Sequence, residues 1–205
     1  MTMKLLHLDT SILGEHSVSR QLSADIVAHL RSLQPDLEVI YRDLAAAAPR
    51  HLSAEHLAAF GGAEVDDPAL RADLALGQAC LDELLQADLL VIGAPMYNFS
   101  LPSQLKAWID RVAVAGTTFA YTDAGPEGLL KGRRAYIASV RGGQYAEGTA
   151  EAALDHQERY LRDLLGFLGI VDVSVVRAEG VAMGDAEKAQ ALAAAAERIA
   201  ALRMD

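Results

Sequence analysis

The 205-residue chain is short of several things, and each shortage closes off a class of function. It has one cysteine, Cys80, so no disulfide framework can form within it and a reducing compartment is expected. On an apolar helical stretch Cys80 reads as a small core filler rather than a nucleophile. Basic residues are outnumbered: 18 Lys and Arg face 28 Asp and Glu, a formal charge of −10. No basic run exceeds the pair Arg133-Arg134, which argues against a nucleic acid or an anionic membrane as partner, since phosphate backbones need clustered cations. The apolar runs are too short to span a bilayer. The opening MTMKLLHLDT carries no signal-peptide core, because Lys4 leads straight into a strand pattern. A cytoplasmic protein is expected. Repeats, linkers and low-complexity segments are also missing, which leaves a single domain over 1–205.

The familiar site motifs are missing as well. There is no Gly-x-Gly-x-x-Gly turn and no Gly-Lys-Ser/Thr loop, so neither a standard dinucleotide fold nor a P-loop NTPase is indicated. Asp9 has no second acid beside it, and the third strand ends without an aspartate, which disfavours a phosphoacceptor receiver. The six histidines do not cluster, and no His/Cys/Asp set has ligand spacing, so no metal is expected. No Gly-x-Ser-x-Gly elbow is present.

What is there is a regular alternation of strand and helix patterns. Strands are predicted at Leu5–Leu8, Leu37–Arg42, Leu89–Ile92, Arg134–Val140 and Val171–Val176. Helices are predicted from about Ser17 (Leu22, Ile26, Leu30 and Leu33 on one face), over Pro68–Gln86, after Pro102, over Thr149–Leu168, and over Asp185–Leu202 with Asp185 as cap. A short helix is possible at Ser53–Phe60. Gly116–Lys131 reads as irregular, with a Gly125-Pro126-Glu127-Gly128 turn. Such alternation predicts one α/β layer structure: a five-stranded parallel sheet with helices on both faces.

Three strand ends carry residues suited to a ligand. The first is followed by Thr10, Ser11, Ser17 and Ser19, four hydroxyls around a helix start. A helix N-terminus offers free N–H groups and a positive dipole end to a phosphate, and hydroxyls add donors without charge. Ser17 also fits a plain N-cap. The third strand ends in Gly93-Ala94-Pro95, then Met96-Tyr97-Asn98-Phe99, which offers a flat apolar wall, an amide and backbone donors. Either the loop simply packs on the core, or it faces an aromatic ring system with amide edges, such as isoalloxazine. The fourth strand ends in Arg141-Gly142-Gly143, either a flexible turn or a place where backbone approaches a ligand closely. In an open α/β sheet these three ends share one edge, where ligands bind.

On these residues the chain resembles the FMN-dependent NAD(P)H azoreductase/quinone reductase family, which has a flavodoxin-like fold. Ala94-Pro95-Met96-Tyr97-Asn98-Phe99 is similar to that family's flavin loop, and Ser17-Val18-Ser19 to its Ser-x-Ser helix start. Ser11 looks like its first phosphate-loop hydroxyl, and Gly125-Pro126-Glu127-Gly128-Leu129 and Ala178-Glu179-Gly180 also match. Where the family commonly reads Ser-Arg-Gly-Gly, this chain reads Val140-Arg141-Gly142-Gly143, with a serine one place earlier at Ser139. The resemblance implies strand order 2-1-3-4-5 and bound FMN held by Ser11, Ser17, Val18, Ser19, Met96, Tyr97, Asn98, Phe99, Val140, Arg141, Gly142 and Gly143. It implies NADH or NADPH as donor, a quinone or azo compound as acceptor, ping-pong turnover, and a homodimer with the flavin at the subunit interface. No protein nucleophile or dedicated acid or base is required. Phe119 and Tyr121 either wall the substrate cleft or pair in the core. The alternatives are a flavodoxin-like electron shuttle without its own NAD(P)H turnover, and a flavin-free hydrolase or nucleotide-binding protein.

Overall fold

Apolar runs that must be covered on both faces become the inner strands of a parallel sheet. In the computed structural model, which describes residues 2–204, those runs are β1 (Lys4–Asp9), β3 (Leu89–Pro95) and β6 (Arg134–Val140). Every residue of β3 is buried, as is every residue of β1 and β6 after the first. The mixed-polarity strands β2 (Glu38–Asp43) and β7 (Asp172–Ala178) take the edges. The five pair in parallel in the order β2-β1-β3-β6-β7, with Leu8 opposite Ile92 and Ile92 opposite Ile137. That is the predicted order, once two hairpin strands that stand outside the sheet are discounted.

Alternation along each strand sorts the core into two layers. Leu6, Leu8, Ile92 and Ile137 pack under α3 (Pro68–Gln86), α4 (Ser103–Val112) and α5 (Glu158–Phe167), meeting Leu84, Trp108 and Leu165. Leu5, Val91, Tyr136 and Val176 face α1 (Val18–Leu33) and α6 (Asp185–Ala200), meeting Leu22, Ile26, Leu30 and Ile199. The short helix α2 (Ala54–Phe60) lies in the long connection between β2 and α3. Cys80 is fully buried, and desolvation pushes its thiol up to about 11. Among the described residues no helix is long and apolar enough to cross a membrane.

Three local expectations are corrected. The stretch Gly125–Gly128 is not a turn but strand β5, paired antiparallel with β4 (Phe119–Thr122) so that Pro126 faces Tyr121. A two-stranded ribbon leaves outer N–H positions free, so proline is tolerated there. The helix predicted from Thr149 begins only at Glu158, after a 3₁₀ turn at Ala152–Leu154. Asp155 sets that start: its carboxylate accepts the N–H groups of Gln157 (3.1 Å) and Glu158 (3.0 Å), as a cap does. Asp185 lies in the first turn of α6, and Gly184 is the cap.

The hairpin is pinned to the body of the molecule by a close glycine approach. A side chain on Gly128 would lie 2.1 Å from the Gly169 nitrogen, just past α5. Leu130 N–H also donates to Leu168 O at 2.9 Å. The hairpin thereby sets Phe119 against Tyr121 and Phe167, with ring centroids 5.5 and 4.6 Å apart.

Candidate functional site

The parallel order places the ends of β1, β3 and β6 side by side, so the three suspected loops meet at one edge of the sheet. Each loop divides its polar groups into those that build the loop and those left over.

In the first loop Thr10 is a strut, because its hydroxyl donates to Gly93 O at 2.6 Å across to β3. Ser11 Oγ lies 3.2 Å from the Tyr97 hydroxyl and accepts the Leu13 N–H. Ser17 is the N-cap the sequence allowed. It caps α1 by accepting the Arg20 N–H at 3.3 Å, and its hydroxyl stands 3.0 Å from that of Ser19. The Val18 and Ser19 N–H groups of the first turn find no backbone acceptor among the described residues. Such orphan donors at the positive end of a helix suit an oxyanion. Arg20 is the one cation in this turn, and it is held elsewhere. Its guanidinium grips Asp43 at 2.7 and 2.8 Å and donates to Ser11 O at 2.8 Å. It therefore orients the loop backbone instead of presenting charge to a ligand.

Beneath this turn lies a buried carboxylate, Asp9, which accepts from Ser23 at 2.7 Å and Tyr41 at 3.0 Å. Burial pushes Asp9 up, but the His7 imidazole 3.4 Å away and the hydrogen bonds from Ser23 and Tyr41 outweigh it and hold the carboxyl below its ordinary value. Tyr41 in turn is pushed up to about 12, by desolvation first and then by the charge on Asp9. Gly93 is needed here: a side chain on it would lie 2.8 Å from Asp9 Oδ1 and 3.2 Å from Ser19 O.

The second loop is a tight reversal. Tyr97 N–H donates to Ser100 O at 2.9 Å and Ser100 N–H to Tyr97 O at 3.0 Å, while Asn98 (φ 48°) and Phe99 (φ 69°) are both left-handed. Two consecutive positive φ values define a type I′ turn, which asparagine tolerates and phenylalanine does not. Strain of about 1–2 kcal/mol at such a residue persists only where the surroundings enforce it, and it gathers at functional sites. The turn leaves the Asn98 and Phe99 N–H groups without a backbone acceptor among the described residues, at an exposed position. Tyr97 ties this loop to the first one, since its hydroxyl also accepts the Ile12 N–H at 3.2 Å. Met96 N–H donates to Val140 O at 2.8 Å, which ties it to the third. Phe99 stands edge-on to Tyr145, 6.1 Å between centroids.

In the third loop Val140 and Arg141 are framework. Val140 is buried with its carbonyl held by Met96, and Arg141 exchanges backbone bonds with Ala178 and Val181. Ser139, one place away from the family's serine, is fully buried and bonds Gln157, so no hydroxyl replaces it at position 140. The Arg141 guanidinium, 1% exposed, points inward to Asp155, Glu158 and Glu179. Gly142 and Gly143 are what remains: their carbonyls accept from Ala182 and Gly180, and their N–H groups have no backbone acceptor among the described residues. A cavity of about 620 Å³ opens beside this loop, lined in part by Tyr145, His156 and Arg159.

The three loops thus converge with neutral donors in three places: the first turn of α1, the Asn98-Phe99 turn and the Gly142-Gly143 amides. This is the donor set a flavin phosphate and the polar edge of an isoalloxazine require, and the residues present fit FMN. Phe119 is buried at 8% exposure, whereas Tyr121, edge-on to it, is 76% exposed. Gln157, which bonds two of the strand ends, gave no signal in the sequence, because a lone glutamine before a helix has no distinguishing pattern. Among the described residues no His, Cys, Asp and Glu group is placed to hold a metal.

Comparison with known proteins agrees with this geometry. The model of a family described as having a flavodoxin-like fold matches residues 3–202. A protein of Sinorhizobium fredii named FMN-dependent NADH:quinone oxidoreductase is 56% identical over 97% of this chain and 96% of its own. One of the same name from Azospirillum brasilense is 56% identical over 98% and 97%. Among solved structures, an FMN-dependent NADH-azoreductase from Bacillus anthracis in complex with FMN superposes with a TM-score of 0.86 at 26% identity, covering 97% of this chain and 96% of that one. The chain therefore belongs to the flavodoxin-like fold family and, within it, to the family of the FMN-dependent NADH:quinone oxidoreductases.

Proposed function

We propose that this protein is an FMN-dependent NADH:quinone oxidoreductase that also reduces azo compounds, working as one domain over 1–205. The observation that carries the reading is the convergence of unused backbone donors from three strand-end loops, one of them strained, on one edge of the sheet. The names of its relatives, and the FMN in a structural neighbour, support the choice of cofactor and donor.

The chemistry FMN supplies when bound is uptake of a hydride from NADH and release of two electrons to the acceptor, the two substrates using the site in turn. The protein's part is to bind and orient. Ser11, Ser17, Val18 and Ser19 take the phosphate with hydroxyl and amide donors. Met96, Tyr97, Asn98 and Phe99 form the platform for the ring, and the Gly142-Gly143 amides meet its polar edge. Val140 and Arg141 hold that edge in place from behind. No side chain of the site is required as nucleophile or proton carrier.

We also read the exposed Tyr121 with Phe167 and Leu129, at the hairpin and α5, as part of a homodimer face that completes the cleft. The cytoplasm is the compartment this reading assigns, consistent with the lone buried thiol.

The test is direct. Purified protein reconstituted with FMN bleaches on anaerobic addition of NADH and recovers its colour on addition of a quinone, with parallel-line kinetics when both substrates are varied. Protein that binds no FMN refutes the reading. Protein that binds FMN but neither bleaches nor turns over is instead an electron shuttle.

A further inference from the structure

Three of the loop ends are joined behind the site by buried side chains whose purpose the binding of a ring does not itself explain. Gln157 is fully buried just before α5, and its amide does two jobs. Its Nε2 donates to Ala94 O at 2.5 Å, at the end of β3, and its Oε1 accepts the Ser139 hydroxyl at 3.1 Å, at the end of β6. Ser139 Oγ also accepts Arg141 Nε at 3.2 Å. Arg141 carries the chain of contacts onward. Its Nη2 reaches Asp155 at 2.8 Å and Glu158 at 3.1 Å, at the start of α5, and its Nη1 reaches Glu179 at 3.0 Å, beyond β7. Glu179 also accepts the Tyr145 N–H at 3.0 Å. The backbone of 178–182 then clasps Arg141, Gly142 and Gly143 through four bonds of 2.9–3.2 Å.

We infer that Arg141 and Gln157 are positioning residues for the flavin: together they lock the ends of β3, β6 and β7 to the start of α5, so that the Asn98-Phe99 turn and the Gly142-Gly143 amides hold one fixed separation. The inference rests on the assignment of the ring to those loops. A guanidinium at 1% exposure has its donors taken up by three carboxylates and the Ser139 hydroxyl. It is also costly to bury unless its geometry is over-determined. Gln157 touches the backbone at the end of β3 directly, and Arg141 reaches the loop ends through the side chains of Ser139, Asp155, Glu158 and Glu179. Glu158 is gripped from outside by Arg162 and Arg177, whose side chains are 42% and 49% exposed, and among the described residues those outer side chains bond Glu158 and Val173 O rather than the site loops.

The test compares Arg141→Met, Gln157→Leu and, as a control of the same network, Arg162→Met. Two readouts are taken: FMN dissociation constant by fluorescence titration, and hydrogen exchange of the apoprotein over residues 94–99. Arg141→Met is expected to raise the FMN dissociation constant by about tenfold or more, the scale on which lost outer support weakens a site. It should also speed exchange over 94–99, a segment its own side chain does not touch, because the coupling runs through Ser139 and Gln157. Gln157→Leu should do both, and Arg162→Met neither. Unchanged affinity and exchange in Arg141→Met, or equal losses in Arg141→Met and Arg162→Met, would overturn the inference. If Arg141→Met does not fold, Gln157→Leu decides in the same way. Wild-type protein that fails to bind FMN refutes the functional assignment instead, and the apoprotein exchange still judges the coupling.

Discussion

Asn98 is the residue at which a substitution separates conformation from recognition. Its φ of 48° is left-handed, so a change to alanine does two things at once. It removes the amide, and it places a Cβ-bearing residue with no compensating polar side chain where about 1–2 kcal/mol of strain results. A change to glycine removes the amide alone, because glycine populates positive φ without penalty. Losing one hydrogen bond to the ring costs about 1–1.5 kcal/mol, which is roughly five- to tenfold in affinity. The two variants therefore predict a divided result. Asn98→Gly apoprotein melts at or slightly above the wild-type temperature yet binds FMN about five- to tenfold more weakly. Asn98→Ala shows the same loss of affinity and melts about 2–8 °C lower, since 1 kcal/mol shifts a chain of this size by 2–4 °C. Thermal melts of the apoproteins and fluorescence titrations with FMN supply both numbers. Wild-type affinity in Asn98→Gly would refute the role of the amide, and a large drop in its melting temperature would refute the strained-turn account.

Other outcomes follow from the same structure. Gly128→Ala drives a methyl into the Gly169 backbone, so it should destabilise the protein by about 3 kcal/mol, the upper part of the overpacking range, and lower its melting point accordingly. Melting at the wild-type temperature would mean the hairpin can lift away freely. Cys80, buried and with its thiol pushed to about 11, should resist a thiol reagent at neutral pH in the native protein and react fully in denaturant. Acid should weaken the fold through carboxylates held below their ordinary values, Asp9, Asp43 and Glu158 among them. Asp43 is held there by Arg20. For Asp9 and Glu158 burial acts the other way, and hydrogen bonds to Asp9 and the Arg177, Arg162 and Arg141 contacts of Glu158 outweigh it. Each contributes stability above its unfolded value of about 4 that is lost as pH falls through the lower folded value. Melting temperatures of the apoprotein should be level from neutrality to about pH 5 and fall below about pH 4. A decline already complete at pH 5 would contradict the depressed values.

The architecture was legible because burial writes itself into a strand. Leu89–Ile92 is apolar at every position, which only a strand covered on both faces needs, and the loop that follows stands where such sheets bind ligands. The first turn was legible through its hydroxyls. The start of α5 was not, because the apolar spacing of Leu154, Leu161 and Leu165 continues back through a stretch that Asp155 takes out of the helix with two backbone hydrogen bonds. The hairpin was missed for a related reason: Gly-Pro-Glu-Gly is turn chemistry, and it becomes strand only because Phe119–Thr122 pairs with it and Gly169 presses against it. Arg141 in an Arg-Gly-Gly loop read as a ligand contact, and its inward path depends on acids from positions 155, 158 and 179 that meet only in three dimensions.

The neutrality of the first turn has a kinetic consequence. Its donors are amides and hydroxyls, and its one arginine is occupied by Asp43, so a phosphate gains no nearby positive side chain from this turn on arrival. A chain of formal charge −10 repels a dianion as it approaches, over the roughly 8–30 Å that dilute salt leaves unscreened. Added sodium chloride should therefore speed cofactor association while leaving dissociation nearly untouched, so that affinity improves with ionic strength. Sites that clamp phosphate with lysine or arginine behave in the opposite sense.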